Sequence, residues 1–296
     1  MQSYIYNIAE WKVTVCFLEP NQEANIEMFP SFQNFRVAES DCEPLFTMTV
    51  DQSLELVSED DCTYTNTEQT NNGDIKVSKT QDKGYQFTIY DLHRDICAVM
   101  QSNDSFSDCK CRVYGKASQR SFGMNNAMML AYAFAGARHK TILVHASVIR
   151  HYDKGYAFVA RSGTGKSTQT QNWMKMIENC DLLNDDNPAV RIIDGQAWIY
   201  GTPWSGKTPC YKQEKAKLAA VTKIDRQPTN YVEKVPKLVG FNNLLSSCSV
   251  LRCDKDPHLG ICDTVSAVCS SVGSYILHCT ADPESALVCY EGIANK

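Results

Sequence analysis

VARSGTGKSTQTQ, residues 159–171, decides how the rest of the chain is read. It follows the apolar run GYAFVA (155–160) and opens onto a segment carrying Trp173, Met174 and Ile177 at helical spacing, so a strand, a glycine-rich turn and a helix are expected in that order. Such a unit binds phosphate because the backbone N–H groups of the turn point inward and the helix N-terminus adds partial positive charge. Within SGTGKST, Ser162, Gly163, Thr164 and Gly165 are expected to wrap the phosphates and Lys166 to reach the β- and γ-phosphates. Ser167, followed by Thr168, is expected to coordinate Mg²⁺ through its hydroxyl. The usual G-x-x-x-x-G-K-[ST] pattern places glycine at position 160, where this chain has Ala160, so the loop entrance is expected to differ. A phosphate loop reads phosphates and not the base, which leaves ATP and GTP equally open.

Two further elements fit chemistry to that loop. DLLNDD (181–186) reads as a strand ending in two carboxylates. Near a triphosphate, one carboxylate accepts the proton of an incoming hydroxyl while the other stands near the metal. Asp185 is taken here as the base and Asp186 as the metal neighbour beside Ser167, with the exchange of the two left open. His145 lies in TILVHASVIR (141–150), read as a single strand. A lone histidine in an apolar strand is more often structural than catalytic, and it assists a carboxylate only if the two strands are neighbours.

The flanks define the architecture. WKVTVCFL (11–18), LFTMTV (45–50), DIKVS (74–78) and YQFTIYD (85–91) have the two-residue period of half-buried strands, so a mainly antiparallel β region is expected over 1–120. The stretch between the second and third of these is polar and ends in the Asn72-Gly73 turn signal. In SFGMNNAMMLAYAFAGARHK, Met124 to Ala135 is apolar nearly all round, which predicts a buried helix stopping at Gly136. It opens a nucleotide-binding domain over 121–296, the two regions forming separate domains or one continuous fold. The segment 205–260 carries no clear period.

Composition sets the class. The chain has 296 residues, 43% hydrophobic and 21% charged, a globular balance. No apolar stretch is long enough to span a bilayer, and the first residues lack a basic segment followed by an apolar one, so a cytoplasmic protein with no membrane partner is expected. Net charge is −5 with the basic residues dispersed, which argues against nucleic acid as a partner. The fourteen cysteines are expected to be reduced thiols, mostly buried. Cys109 and Cys111 form the tightest pair, but no second Cys/His pair at zinc spacing faces them.

With those residues in hand, VHASVIRHYDKGYAFVARSGTGKST followed by LLNDD resembles the catalytic domain of HPr kinase/phosphorylase. The loop alone is equally similar to that of phosphoenolpyruvate carboxykinase, which shares the fold. The resemblance covers about residues 140–210 and implies an α/β domain of the carboxykinase-like P-loop kind with a mixed sheet. It also implies Lys166 and Ser167 on phosphate and Mg²⁺, a base among Asp185 and Asp186, and His145 assisting that base. GTPWSGKTPCY (201–211) resembles a G-x-P-W-x-G stretch of HPr-kinase-like proteins, which implies Trp204, Gly206 and Lys207 near an acceptor. Thr168 stands where the HPr enzymes usually have Glu, and no segment resembles their phosphorylase loop, so reversible dephosphorylation is not expected. The activity implied is an ATP- or GTP- and Mg²⁺-dependent kinase acting on a hydroxyl, a serine of a protein or peptide, in a chain that self-associates as HPr kinases do. A nucleotide-binding regulatory or scaffold protein without transfer chemistry, and a small-molecule kinase, are the rival readings.

Overall fold

The alternating apolar runs of the first third line up as strands because each pairs its backbone with a neighbour while burying one face. The computed structural model describes residues 1–19, 25, 27–38, 43–70, 72–206 and 208–294. Among them are β1 (Gln2–Ile8), β2 (Trp11–Phe17), β3 (Arg36–Val37), β4 (Phe46–Val50), β5 (Cys62–Thr70), β6 (Gly73–Thr80), β7 (Tyr85–Tyr90), β8 (Ile96–Ser102) and β9 (Asp108–Val113). They form one nine-stranded sheet in the order β3-β1-β2-β4-β9-β8-β7-β6-β5. The pairing is mainly antiparallel, as expected, except at its centre: β4 runs parallel to both β2 and β9, so the sheet is mixed. β5 is a strand that the two-residue period does not announce, because it occupies the polar stretch before the Asn72-Gly73 turn. It is the edge partner of β6 and nearly all of it is exposed. With solvent on both faces no apolar alternation marks it, while its threonines still favour extended backbone.

Helix α1 (Ala117–Ala137) begins earlier than expected and runs through Gly136 instead of stopping there. Its all-round apolar surface is explained by what it meets. The Phe134 ring lies 5.9 Å from Phe87 and 5.2 Å from Phe106, and the Tyr132 hydroxyl donates to the Ile8 carbonyl at 3.1 Å. The chain divides into two compact units, Met1–Gly136 with Arg252–Asp254, and Ala137–Leu251 with Lys255–Lys296. All of α1 but its last residue therefore belongs to the first unit.

The second unit holds β10 (Thr141–Leu143), β11 (Ala146–His151), β12 (Lys154–Val159), α2 (Lys166–Met176), β13 (Cys180–Asp186), β14 (Ala189–Ile193), β15 (Gln196–Tyr200), β16 (Lys215–Arg226), β17 (Tyr231–Lys234), α3 (Lys237–Leu245), α4 (Lys255–Ser271), β18 (Gly273–Cys279) and α5 (Glu284–Ile293). Its sheet runs β10-β14-β15-β16-β12-β11-β13, with β18 also on β16 and β17 on β18. β12, β16 and β18 are parallel, and β11 and β13 continue the sheet antiparallel. One face packs Val148, Val159 and Val221 against Leu244 of α3 and Val265 of α4. The other packs Tyr156, Phe158 and Leu277 against Trp173 of α2 and Cys289 of α5. This unit is thus three-layered, with helices over both faces of a mixed sheet, and the protein is of α/β class with two large mixed sheets. Among the described residues no helix is long and apolar enough to cross a membrane.

The run 141–150 is not one strand. Val144 donates its N–H to the Pro188 carbonyl at 3.1 Å and His145 donates to the Ser247 carbonyl at 2.6 Å, so the backbone leaves one partner before joining the next. β10 pairs with β14, whereas β11 pairs with β12 and β13. His145 sits in the break.

Candidate phosphate-binding site

β12 delivers the chain to the end of the sheet, residues 160–165 turn, and α2 carries it back across the sheet's face. The turn depends on two glycines: Gly163 at φ +79° and Gly165 at φ +119° lie where residues with a Cβ are strained. A methyl on Gly163 would meet nothing within 4 Å, whereas one on Gly165 would lie 2.2 Å from a guanidinium nitrogen of Arg226. Ala160 needs no such freedom, since it is not among the residues of positive φ, and its contribution is its carbonyl, which accepts from Lys166 Nζ at 3.0 Å. Ser162 and Gly163 are exposed, Thr164, Ser167 and Thr168 half-buried, and Lys166 is buried. The first-turn N–H groups of α2 have no partner within the helix, as at any helix start.

Parallel and antiparallel pairing brings the other groups to this end. Ser147 on β11 stands opposite both Phe158 of β12 and Asp185 of β13, so the loop strand and the acidic strand flank β11. The Ser147 hydroxyl meets Thr170 of α2 at 3.0 Å, which pins the helix over the same strand. The Ser167 hydroxyl donates to Asp185 Oδ1 at 2.9 Å. His145 Nε2 lies 3.3 Å from Asp186 Oδ1, and Asn187 Nδ2 donates to Asp186 Oδ2 at 2.8 Å. The geometry therefore joins Asp185, not Asp186, to Ser167, and Asp186 to His145. The Ser167 hydroxyl and Asp185 carboxylate are hard oxygen donors, the set that Mg²⁺ accepts.

Burial shapes the charges. Desolvation pushes the Asp186 carboxyl above the usual carboxylate range, partly countered by His145 and Lys166, while burial and then Lys166 push the His145 imidazole down. Burial also lowers the Lys166 ammonium, with Asp186 and Asp185 opposing. The His145 and Asp186 side chains retain 41% and 38% of their exposure, so both remain open to a reactant.

The 201–211 stretch supplies backbone to this site, not its aromatic ring. Trp204 is 3% exposed and its side chain belongs to the packed interior. The Gly206 N–H donates to the Asp185 carbonyl, and Ser205 bridges to Asp186. Lys207 lies outside the described residues. Asn184, which the sequence reading passed over, is fully buried and holds the two segments together: its Nδ2 donates to Thr202 Oγ1 at 3.1 Å, the Trp204 carbonyl at 3.3 Å and the Thr202 carbonyl at 3.4 Å. A polar residue at an inward strand position was the available signal. Cys109 and Cys111, far along the chain, are buried thiols on β9. Burial pushes both upward, Cys111 to about 12.

No family model and no curated protein matches the chain.

Proposed function

We propose that this protein is an ATP- or GTP- and Mg²⁺-dependent phosphotransferase with a domain of the HPr kinase/phosphoenolpyruvate carboxykinase kind, passing a γ-phosphate to the hydroxyl of a serine in a protein or peptide. The observation that supports the reading is the convergence, at one end of one sheet, of a loop with Lys166 at its helix start, the Ser167–Asp185 contact and the His145–Asp186 pair. Three separate stretches of sequence meet there.

The chemistry then divides between the two carboxylates in the order opposite to the one expected from sequence. Asp186 is the base: it takes the proton of the attacking hydroxyl as that oxygen bonds to the γ-phosphorus and the bond to the β–γ bridging oxygen breaks, releasing nucleoside diphosphate. His145 and Asn187 hold the Asp186 carboxylate by its two oxygens. Lys166 offsets charge on the phosphoryl oxygens once it exchanges the Ala160 carbonyl for phosphate. Mg²⁺ held through Ser167 and Asp185 would supply neutralisation of the β- and γ-phosphate oxygens.

The test has two stages. Isothermal titration with Mg·ATP and Mg·GTP should show binding by the wild type that is lost in Lys166→Ala; no binding by the wild type refutes the phosphate loop. Transfer from γ-labelled nucleotide to a serine-peptide library should then fall about 10²–10⁴-fold in Asp186→Asn, with nucleotide affinity nearly unchanged. Turnover retained in Asp186→Asn, with Asp185→Asn inactive, would restore the first assignment.

A further inference from the structure

The phosphate loop has a neighbour that its motif does not contain. Arg226 is the last residue of β16, the strand parallel to β12, and its Nε donates to the Thr164 carbonyl at 2.7 Å. Its guanidinium lies beside Gly165: a methyl there would be 2.2 Å from Nη2 and 2.9 Å from Cζ. Gly165 is thus required twice, by its φ of +119° and by the guanidinium. An arginine carries five N–H donors. Only the Nε–H is matched to a described residue, and among the described residues no carboxylate pairs with the group.

That placement is unfavourable for a cation by itself. Gly165 is the N-cap of α2, where the helix field is positive and disfavours a second positive charge. Lys166 adds another cation one residue on, already buried. Three sources of positive potential therefore meet at one turn of backbone, and a polyanion reverses the sign of every one of these interactions. The Thr164 contact anchors the guanidinium beside the loop through Nε, which leaves its Nη donors for a further partner.

We propose that Arg226 is a second cationic ligand of the nucleotide's polyphosphate, reaching the loop from the neighbouring strand and held there by the Thr164 carbonyl. The inference rests on the phosphate-loop reading given above. It also predicts a ligand class: polyphosphate chains, whose extra charge uses both Lys166 and Arg226, are favoured over monophosphates.

The experiment is isothermal titration of the full chain with Mg·ATP, inorganic triphosphate and AMP, for wild type, Arg226→Gln and Arg226→Lys, at two salt concentrations. Arg226 is exposed, and unchanged melting temperatures would establish that each variant is folded. Arg226→Gln should weaken Mg·ATP and triphosphate about tenfold or more and flatten the salt dependence, while AMP changes less; Arg226→Lys, which keeps the charge, should recover part of the loss. Arg226→Gln within twofold of wild type overturns the proposal, as does Arg226→Lys binding no better than Arg226→Gln, since either result reduces the arginine to a prop for the Thr164 carbonyl. A wild type that binds none of the three ligands refutes the phosphate loop itself, and this inference with it.

Discussion

Asn184 is the point at which the site's scaffold is most exposed to a single substitution. Its amide has two protons and faces three oxygen acceptors, Thr202 Oγ1, the Thr202 carbonyl and the Trp204 carbonyl, at 3.1–3.4 Å. The Thr202 hydroxyl already donates to the Asn187 carbonyl at 2.7 Å, so it has no proton left to offer an oxygen at 184. Two neutral hydrogen bonds of about 1 kcal/mol each, plus a small cavity at a fully buried position, give an expected loss of about 2–3 kcal/mol for Asn184→Ala. Asn184→Asp preserves the volume yet sets a carboxylate against acceptors only, for a loss of about 3–5 kcal/mol at neutral pH. The sign with pH separates the two variants. A carboxyl raised by such burial is favoured in the fold when protonated, so the ionisation part of the Asp penalty shrinks as pH falls through its folded value and is gone below the unfolded value of about 4. The Ala deficit stays constant. Urea unfolding of wild type and both variants at pH 7.5 and pH 5 reads all three quantities. An Asp variant as stable as the Ala variant at pH 7.5, or one whose deficit ignores pH, would refute the view that the amide donates into a ring of carbonyls.

Two other outcomes follow from the same geometry. Under the proposed function Asp186, as base, must be ionised, so kcat/KM should rise with pH through its raised value; His145 holds that value down, and His145→Asn should move the acid limb upward. A limb that stays in place or moves down in a pH–rate profile contradicts the pairing. Trp173 is fully buried with its ring 5.1 Å from Tyr156 and 5.7 Å from both Phe158 and Tyr290, so Trp173→Ala should cost about 3–5 kcal/mol in denaturant unfolding. A loss under about 1 kcal/mol would mean that α2 is not docked through this ring.

What could be read from the residues was what is local. The loop, its strand and its helix are contiguous, and their order in the structure is the order of the motif. DLLNDD forms its strand within one residue of expectation, because an apolar pair and two terminal carboxylates describe a half-buried strand reaching the sheet's end. The helix at 117–137 is longer than its apolar run, since Ser118, Gln119, Arg120, Ser121 and Gly123 precede that run within the helix. The break at Val144 and His145 was not visible, because it is made by Pro188 and Ser247, which are distant in sequence. The same applies to Arg226, whose neighbourhood comes from the register of β16 on β12, and to β4, whose parallel pairings leave no mark on its own five residues. Asp185 and Asp186 present opposite faces as successive strand residues do, and alternation alone does not tell which face meets Ser167 and which meets His145.

The register of β16 on β12 has a consequence for how the protein is made. Lys154 of the loop strand pairs with Lys217, and Val159 with Lys223, so the strand that presents the glycine turn is flanked on one side only until a segment roughly sixty residues later has left the ribosome. β18, which completes the three parallel strands, is later still. A nascent chain ending before β16 carries every residue of the glycine motif and cannot close the sheet that aims it. Vectorial synthesis therefore leaves the most recognisable part of this chain waiting for its least recognisable part, and a translational pause between the two would prolong the life of an exposed, apolar parallel edge.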